Sequence, residues 1–189
     1  VLALHGWLDN AASFEPLLPH LDAFDVVALD LPGHGASAHR ASGYDYVYVD
    51  WLHDALDVLD ALGWPRAHLL GHSMGATIAS TLAAAAPERV GRLALIEGLG
   101  PLGGSAEGAG TRLREAVAAR RALDARRDEP PRIIPSLDAA VKARLMATPM
   151  RAEDAERIVR RNLDAVEGGY VWRSDPRLPR KDERAVVLA

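Results

Sequence analysis

Gly71-His72-Ser73-Met74-Gly75 has the residue types and spacing of a nucleophile carried on a tight bend. It fits G-x-S-x-G and stands between a short apolar run, His68-Leu69-Leu70, and an apolar helical segment that starts at Met74. A serine on such a strand-to-helix bend takes a strained backbone conformation that side chains two positions either side would obstruct. Glycine at 71 and 75 removes the obstruction and leaves the Ser73 hydroxyl exposed at a helix N-terminus. There the helix dipole and free N–H groups favour developing negative charge. The chemistry would be attack on a carbonyl carbon through a covalent acyl intermediate. The bland alternative is a Gly-rich turn with an ordinary serine.

A serine of this kind needs a second backbone donor for the oxyanion, besides the N–H just after the nucleophile. His5-Gly6-Trp7-Leu8-Asp9-Asn10 follows the first apolar run, and its glycine gives the loop room to turn inward. The expected donors are the backbone N–H groups of Trp7 and Met74. His5 is expected to be a buried histidine bonded to loop backbone, and Trp7 is equally a pocket wall or plain packing. Asp30-Leu31-Pro32-Gly33-His34-Gly35-Ala36-Ser37 is expected to be a turn-forming loop with Asp30 and His34 bonded locally. His34 and His39 lack a third ligand for a metal, and Gly33 and Gly35 lack the third glycine and helix of a dinucleotide site. The chain has no cysteine, so thiol nucleophiles, disulfides and Cys-bound metals are excluded. No metal or cofactor is expected.

The elements that must position these residues alternate in type. Val1–Leu4, Val26–Leu29, His68–Leu70 and Leu93–Ile96 are short apolar runs ending at Gly or Pro punctuation. Their continuous rather than alternating apolarity suits strands covered on both faces of a parallel sheet. Between them, Asp50–Leu62 and Met74–Ala86 have helical spacing. Strand–helix repetition with short connections predicts an α/β fold with a doubly wound, mostly parallel sheet. From Leu99 the character changes. Residues 100–110 read as a Gly-rich linker, and three helices are expected at 111–127, 136–147 and 151–165, with no strand between them. Tyr170–Trp172 would be a short extended piece. This divides the chain into a core at 1–98, a helical lid at 99–172 and a C-terminal segment at 173–189.

With 189 residues, 25% charged and 49% from the apolar set, the composition is that of a folded domain. The net charge of −4 is uneven. Residues 1–98 hold 12 acids against 4 bases, and residues 99–189 hold 14 against 18. Acids and bases interleave in both halves, which argues against a nucleic-acid surface. No apolar stretch is long enough for a membrane span. No signal peptide is visible, so the default compartment is the cytoplasm. The chain opens at Val1 inside an apolar run, and the expectation is that the true N-terminus lies upstream.

HGWLDNAASF, LDLPGHGAS and GHSMGA, in this order and spacing, resemble the α/β-hydrolase superfamily. They look most like its serine hydrolase-like branch, related to the mesoderm-specific transcript protein. The likeness covers residues 1–98 and extends more loosely to Trp172-Arg173-Ser174-Asp175-Pro176-Arg177. It implies that residues 1–98 supply strands three to six of an eight-stranded sheet, with a lid inserted after strand six. It also implies a serine-dependent hydrolase of small esters or related acyl compounds, since a Ser elbow disfavours the dehalogenase and epoxide hydrolase relatives that use Asp. Glu97, at the end of the sixth strand, is the candidate orienting acid. The family's catalytic histidine follows the last strand, whereas the seven histidines here, at 5, 20, 34, 39, 53, 68 and 72, all precede the lid. The chain therefore looks truncated at both ends, and the rival reading is an incompetent fragment or a pseudoenzyme that binds without turnover. The expected partner is a small-molecule substrate; oligomeric state is not legible in the sequence.

Overall fold

A computed structural model describes residues 1–100, 107–125 and 129–178. Four strands, β1 (Leu2–Leu4), β2 (Val27–Leu29), β3 (Ala67–His72) and β4 (Val90–Ile96), pair in parallel in the order β2-β1-β3-β4. β1 is central, with Leu4 paired to both Leu29 and Gly71. The period-2 alternation of a strand divides its side chains between two layers. Leu2 and Leu4 face the main core with Trp51, Leu59, Ile78 and Leu82. Ala3 faces the opposite side with Phe14 and Leu70.

Two helices cover the main face. α1 (Tyr48–Ala61) buries Trp51, Ala55 and Leu59, one above another at a spacing of four. α2 (Met74–Ala85) buries Met74 through Ala79 and Leu82, and its small side chains let it lie close on the sheet. A 3-10 segment, Ala11–His20, is capped by the Asn10 side chain and covers the other face through Phe14. The result is an α/β fold with a four-stranded parallel sheet. One expectation fails at the edge. β4 leaves Leu93 39% and Ile96 40% exposed, because it ends the sheet and no described strand pairs with its outer side.

Beyond residue 100 the helices are α3 (Ala109–Ala125), α4 (Leu137–Ala147) and α5 (Ala152–Arg161). The linker residues 101–106 and the expected helix end at 126–127 lie outside the described residues. α4 and α5 pack through Ala140 and Val159, joined by Leu163. The helix expected at 151–165 stops at Arg161. Leu163–Val166 (β5) instead pairs antiparallel with Gly169–Trp172 (β6), so a strand replaces the expected end of that helix and pairs with the short extended piece expected at Tyr170–Trp172. The cause is tertiary. Asn162 is buried, its side chain accepts the Gly35 N–H at 3.3 Å and its carbonyl accepts the Arg173 N–H at 2.8 Å. Gly168 and Gly169, at φ 84° and 148°, make the hairpin turn.

The chain then straps back over the core. The Asp175 N–H donates to the Gly33 carbonyl, the Tyr46 hydroxyl donates to the Asp175 carboxylate at 2.7 Å, and Leu178 enters the main core. Residues 179–189, including the apolar end at Val186–Ala189, lie outside the described residues. Among the described residues no helix is long and apolar enough to cross a membrane.

Candidate active site

Ser73 lies between β3 and α2 at φ 50° and ψ −114°, a conformation that β-carbons resist. Its N–H extends the sheet by donating to the Ile96 carbonyl at 2.8 Å. Its own carbonyl accepts from the Ala76 and Thr77 N–H groups. Ser73 is thus the hinge between ladder and helix. Among the described residues, no acceptor takes the Met74 N–H and no group hydrogen-bonds the Ser73 hydroxyl.

The glycines around it are required by close approach. A β-carbon on Gly75 would lie 1.9 Å from the Leu4 carbonyl oxygen, and one on Gly71 would lie 2.5 Å from the Ala76 Cα. The obstruction is therefore with β1 and α2, not with the serine itself. Gly98 plays a third part that sequence reading missed, since its β-carbon would lie 2.6 Å from the Ser73 carbonyl oxygen.

The loop leaving β1 meets this bend. A β-carbon on Gly6 would sit 3.0 Å from His72 Nδ1. The Asp9 N–H closes a turn onto the Gly6 carbonyl, with Trp7 and Leu8 at its corners and Leu8 at φ 55°. Trp7, half-buried, meets His34 edge-on at 5.6 Å between ring centres. His5 is fully buried. Its Nε2 accepts the Leu31 N–H at 3.0 Å, so its proton sits on Nδ1 and is donated to the Gly6 carbonyl. Burial holds this ring down to about 4 and His34 down to about 3, so both are neutral backbone-organising groups.

Asp9 and Asn10 tie the loop to the helical region. Asp9, 5% exposed, pairs with Arg144 of α4, and its Oδ2 lies 3.7 Å from His72 Nδ1. Burial pushes its carboxyl up, with Arg144 opposing. The Asn10 side-chain amide donates to the Ile158 carbonyl of α5 at 2.7 Å. Asp30 is not only locally bonded. It accepts from the Ala11 and Ala36 N–H groups and also from Arg161 of α5 at 2.9 Å. The partners Arg144, Ile158 and Arg161 lie more than a hundred residues away in sequence, and no local pattern announces them.

A cavity of about 290 Å³ opens beside the bend, between the 3-10 segment and α5. His72, Ile96 and Asp9 line one side, Phe14 and Leu17 another, and Met150, Arg157 and Ile158 the third. Glu97 follows β4 at φ 52°, is exposed, and has no hydrogen bond or ion pair to a described residue. Among the described residues no group of three His, Cys, Asp or Glu could hold a metal.

Comparison with known proteins agrees with this architecture. Residues 1–160 match the family model for the alpha/beta hydrolase fold. A serine hydrolase-like protein of Danio rerio is 32% identical over 96% of this chain and 56% of its own length. A hypothetical protein from Pseudomonas aeruginosa is 48% identical with a TM-score of 0.87, covering 95% of this chain and 64% of that one. An esterase from Mycobacterium tuberculosis is 30% identical with a TM-score of 0.65, over 92% and 55% of the two chains. The chain thus spans less than two thirds of each of these relatives.

Proposed function

Because the chain belongs to the α/β-hydrolase fold family, we propose that Ser73 is the nucleophile of a hydrolase acting on carboxylic esters or related small acyl compounds. The observation that carries this is the strained bend at Ser73, packed so closely by β1 and α2 that only glycine fits at 71 and 75. In this reading the Ser73 hydroxyl attacks the acyl carbon and the carbonyl oxygen becomes an oxyanion. The Trp7 and Met74 N–H groups receive that charge, the alcohol leaves, and water hydrolyses the acyl-serine. The cavity under α5 receives the substrate, residues 99–172 act as its cap, and residues 173–178 lead back to the core, the rest of the segment 173–189 lying outside the described residues.

The base is the open element. No histidine of the chain hydrogen-bonds the Ser73 hydroxyl among the described residues, so in this reading the proton acceptor comes from outside these 189 residues. Glu97 is retained as the acid only in that setting. The same observation favours a second reading, in which the fold binds an acyl compound without converting it.

One experiment separates the two. In the full-length polypeptide, a fluorophosphonate probe should label Ser73, and Ser73→Ala should abolish both labelling and turnover of a p-nitrophenyl ester. Silence of the unaltered protein towards the probe favours binding without turnover, and unchanged turnover in Ser73→Ala dismisses Ser73 as the nucleophile.

A further inference from the structure

Three parts of the molecule meet at Asp9. Its backbone N–H closes the Gly6 turn at 3.1 Å, so its position sets the corner where Trp7 sits. Its Oδ1 accepts from Arg144 of α4, and its Oδ2 faces His72, the residue before Ser73. Both partners of the ion pair are largely withdrawn from water, with side chains 7% and 16% exposed. Arg144 has few other places to put its charge. Its Nε is buried without a hydrogen-bond partner among the described residues, and its remaining contact is the Thr148 hydroxyl at 3.4 Å.

A buried ion pair that loses one partner leaves an uncompensated charge behind, which is far costlier than losing a surface contact. The Gly6 turn and α4 must therefore move together. The neighbouring link from Asn10 to the Ile158 carbonyl is neutral and holds the loop to α5 instead. We infer that Asp9 is a positioning residue, through which α4 sets the orientation of the turn bearing the Trp7 amide. This rests on the proposed role of that amide as an oxyanion donor. A helical region docked through Asp9 presents a formed oxyanion site, and one undocked at Arg144 does not.

The test uses the full-length polypeptide with Arg144→Met, Arg144→Lys, Asp9→Asn and the double variant Asp9→Asn/Arg144→Met. Amide hydrogen exchange is followed over residues 5–11, with α1 as the internal standard. Arg144→Met should speed exchange in the turn about 10-fold and leave α1 unchanged, and Arg144→Lys should restore part of the protection because it keeps the charge. The double variant should be no worse than the worse single one, as expected for a pair that acts as a unit. With a p-nitrophenyl ester, kcat should fall about 10-fold while KM stays within about 3-fold, the signature of a contact made mainly in the transition state. Turn exchange that is unchanged in both Arg144 variants, or that rises equally in α1, overturns the inference. A protein whose turn responds as expected, but which neither reacts with fluorophosphonate nor hydrolyses ester, supports the link from Asp9 to α4 and overturns the reading of Ser73.

Discussion

Ser73 carries its strain in a single pair of backbone angles, φ 50° and ψ −114°, so the strain can be removed at one position. Ser73→Gly is expected to raise stability by about 1 kcal/mol, offset in part by greater freedom of the unfolded chain, while deleting the hydroxyl. Urea midpoints check this, and a less stable glycine variant contradicts the strain. His5 and His34 supply a pH dependence. Burial holds them down to about 4 and about 3, whereas in the unfolded chain they would protonate near 6.5. Their contribution to stability is complete above pH 6.5 and is lost as pH falls from there, for His5 down to about 4 and for His34 down to about 3, by several kcal/mol in all. Asp9 acts in the opposite direction, since burial raises its carboxyl and the fold gains as that group protonates. The denaturant midpoint should therefore fall markedly between pH 7 and pH 4.5. A flat profile contradicts two neutral buried rings.

Among elements, the contact between β1 and α2 decides which substitutions the fold tolerates. Gly75→Ala drives a methyl group to 1.9 Å from the Leu4 carbonyl, and the backbone of a central strand cannot yield. The cost should be about 3 kcal/mol or more. Gly110→Ala, in the first turn of exposed α3 with only the tip of Arg114 near it at 3.8 Å, should instead stabilise by about 0.5 kcal/mol through helix propensity. Chemical denaturation of the two variants tests the contrast, and equal effects would contradict it. The four strands and two α-helices of residues 1–98 were legible because the strands are continuous apolar runs and the helices have apolar residues at helical spacing, whereas the 3-10 segment at Ala11–His20 was not read. Nor was the hairpin at 163–172. Ala165 and Val166 continue a helical pattern, and only the burial of Asn162 against Gly35 and Arg173 ends the helix at Arg161.

At the scale of the molecule, residues 173–178 fasten the end of the described chain to the loop at 33–46. Asp175 is the centre of this strap. Burial pushes its carboxyl up, but hydrogen bonds from Arg177 and Tyr46 outweigh burial and hold it below the usual range. Arg177 in turn reaches the Arg40, Ala41 and Tyr44 carbonyls. Asp175→Ala would leave the Tyr46 hydroxyl and the Arg177 guanidinium facing a vacated site, at a cost of about 3 kcal/mol. Equilibrium unfolding measures it, and a loss under about 0.5 kcal/mol contradicts a central role for this strap. The motif Trp172–Arg177 was recognisable only by resemblance, because the partners through which Asp175 and Arg177 fasten it to the core, Gly33, Arg40, Ala41, Tyr44 and Tyr46, lie more than a hundred residues away in sequence.

The sequence by itself determined the parallel α/β core, the bend at Ser73 and the two glycines beside it. Periodicity and turn chemistry are local properties, written in neighbouring residues, whereas the contact of Gly75 with Leu4 that makes glycine necessary there belongs to the packed fold. Only the tertiary structure decided that Asp9 answers to Arg144 and Asp30 to Arg161, that Glu97 stands exposed, and that β4 presents an uncovered edge. Pairing across more than a hundred residues follows from how whole elements stack, and a buried charge acquires its partner only when that stacking is complete.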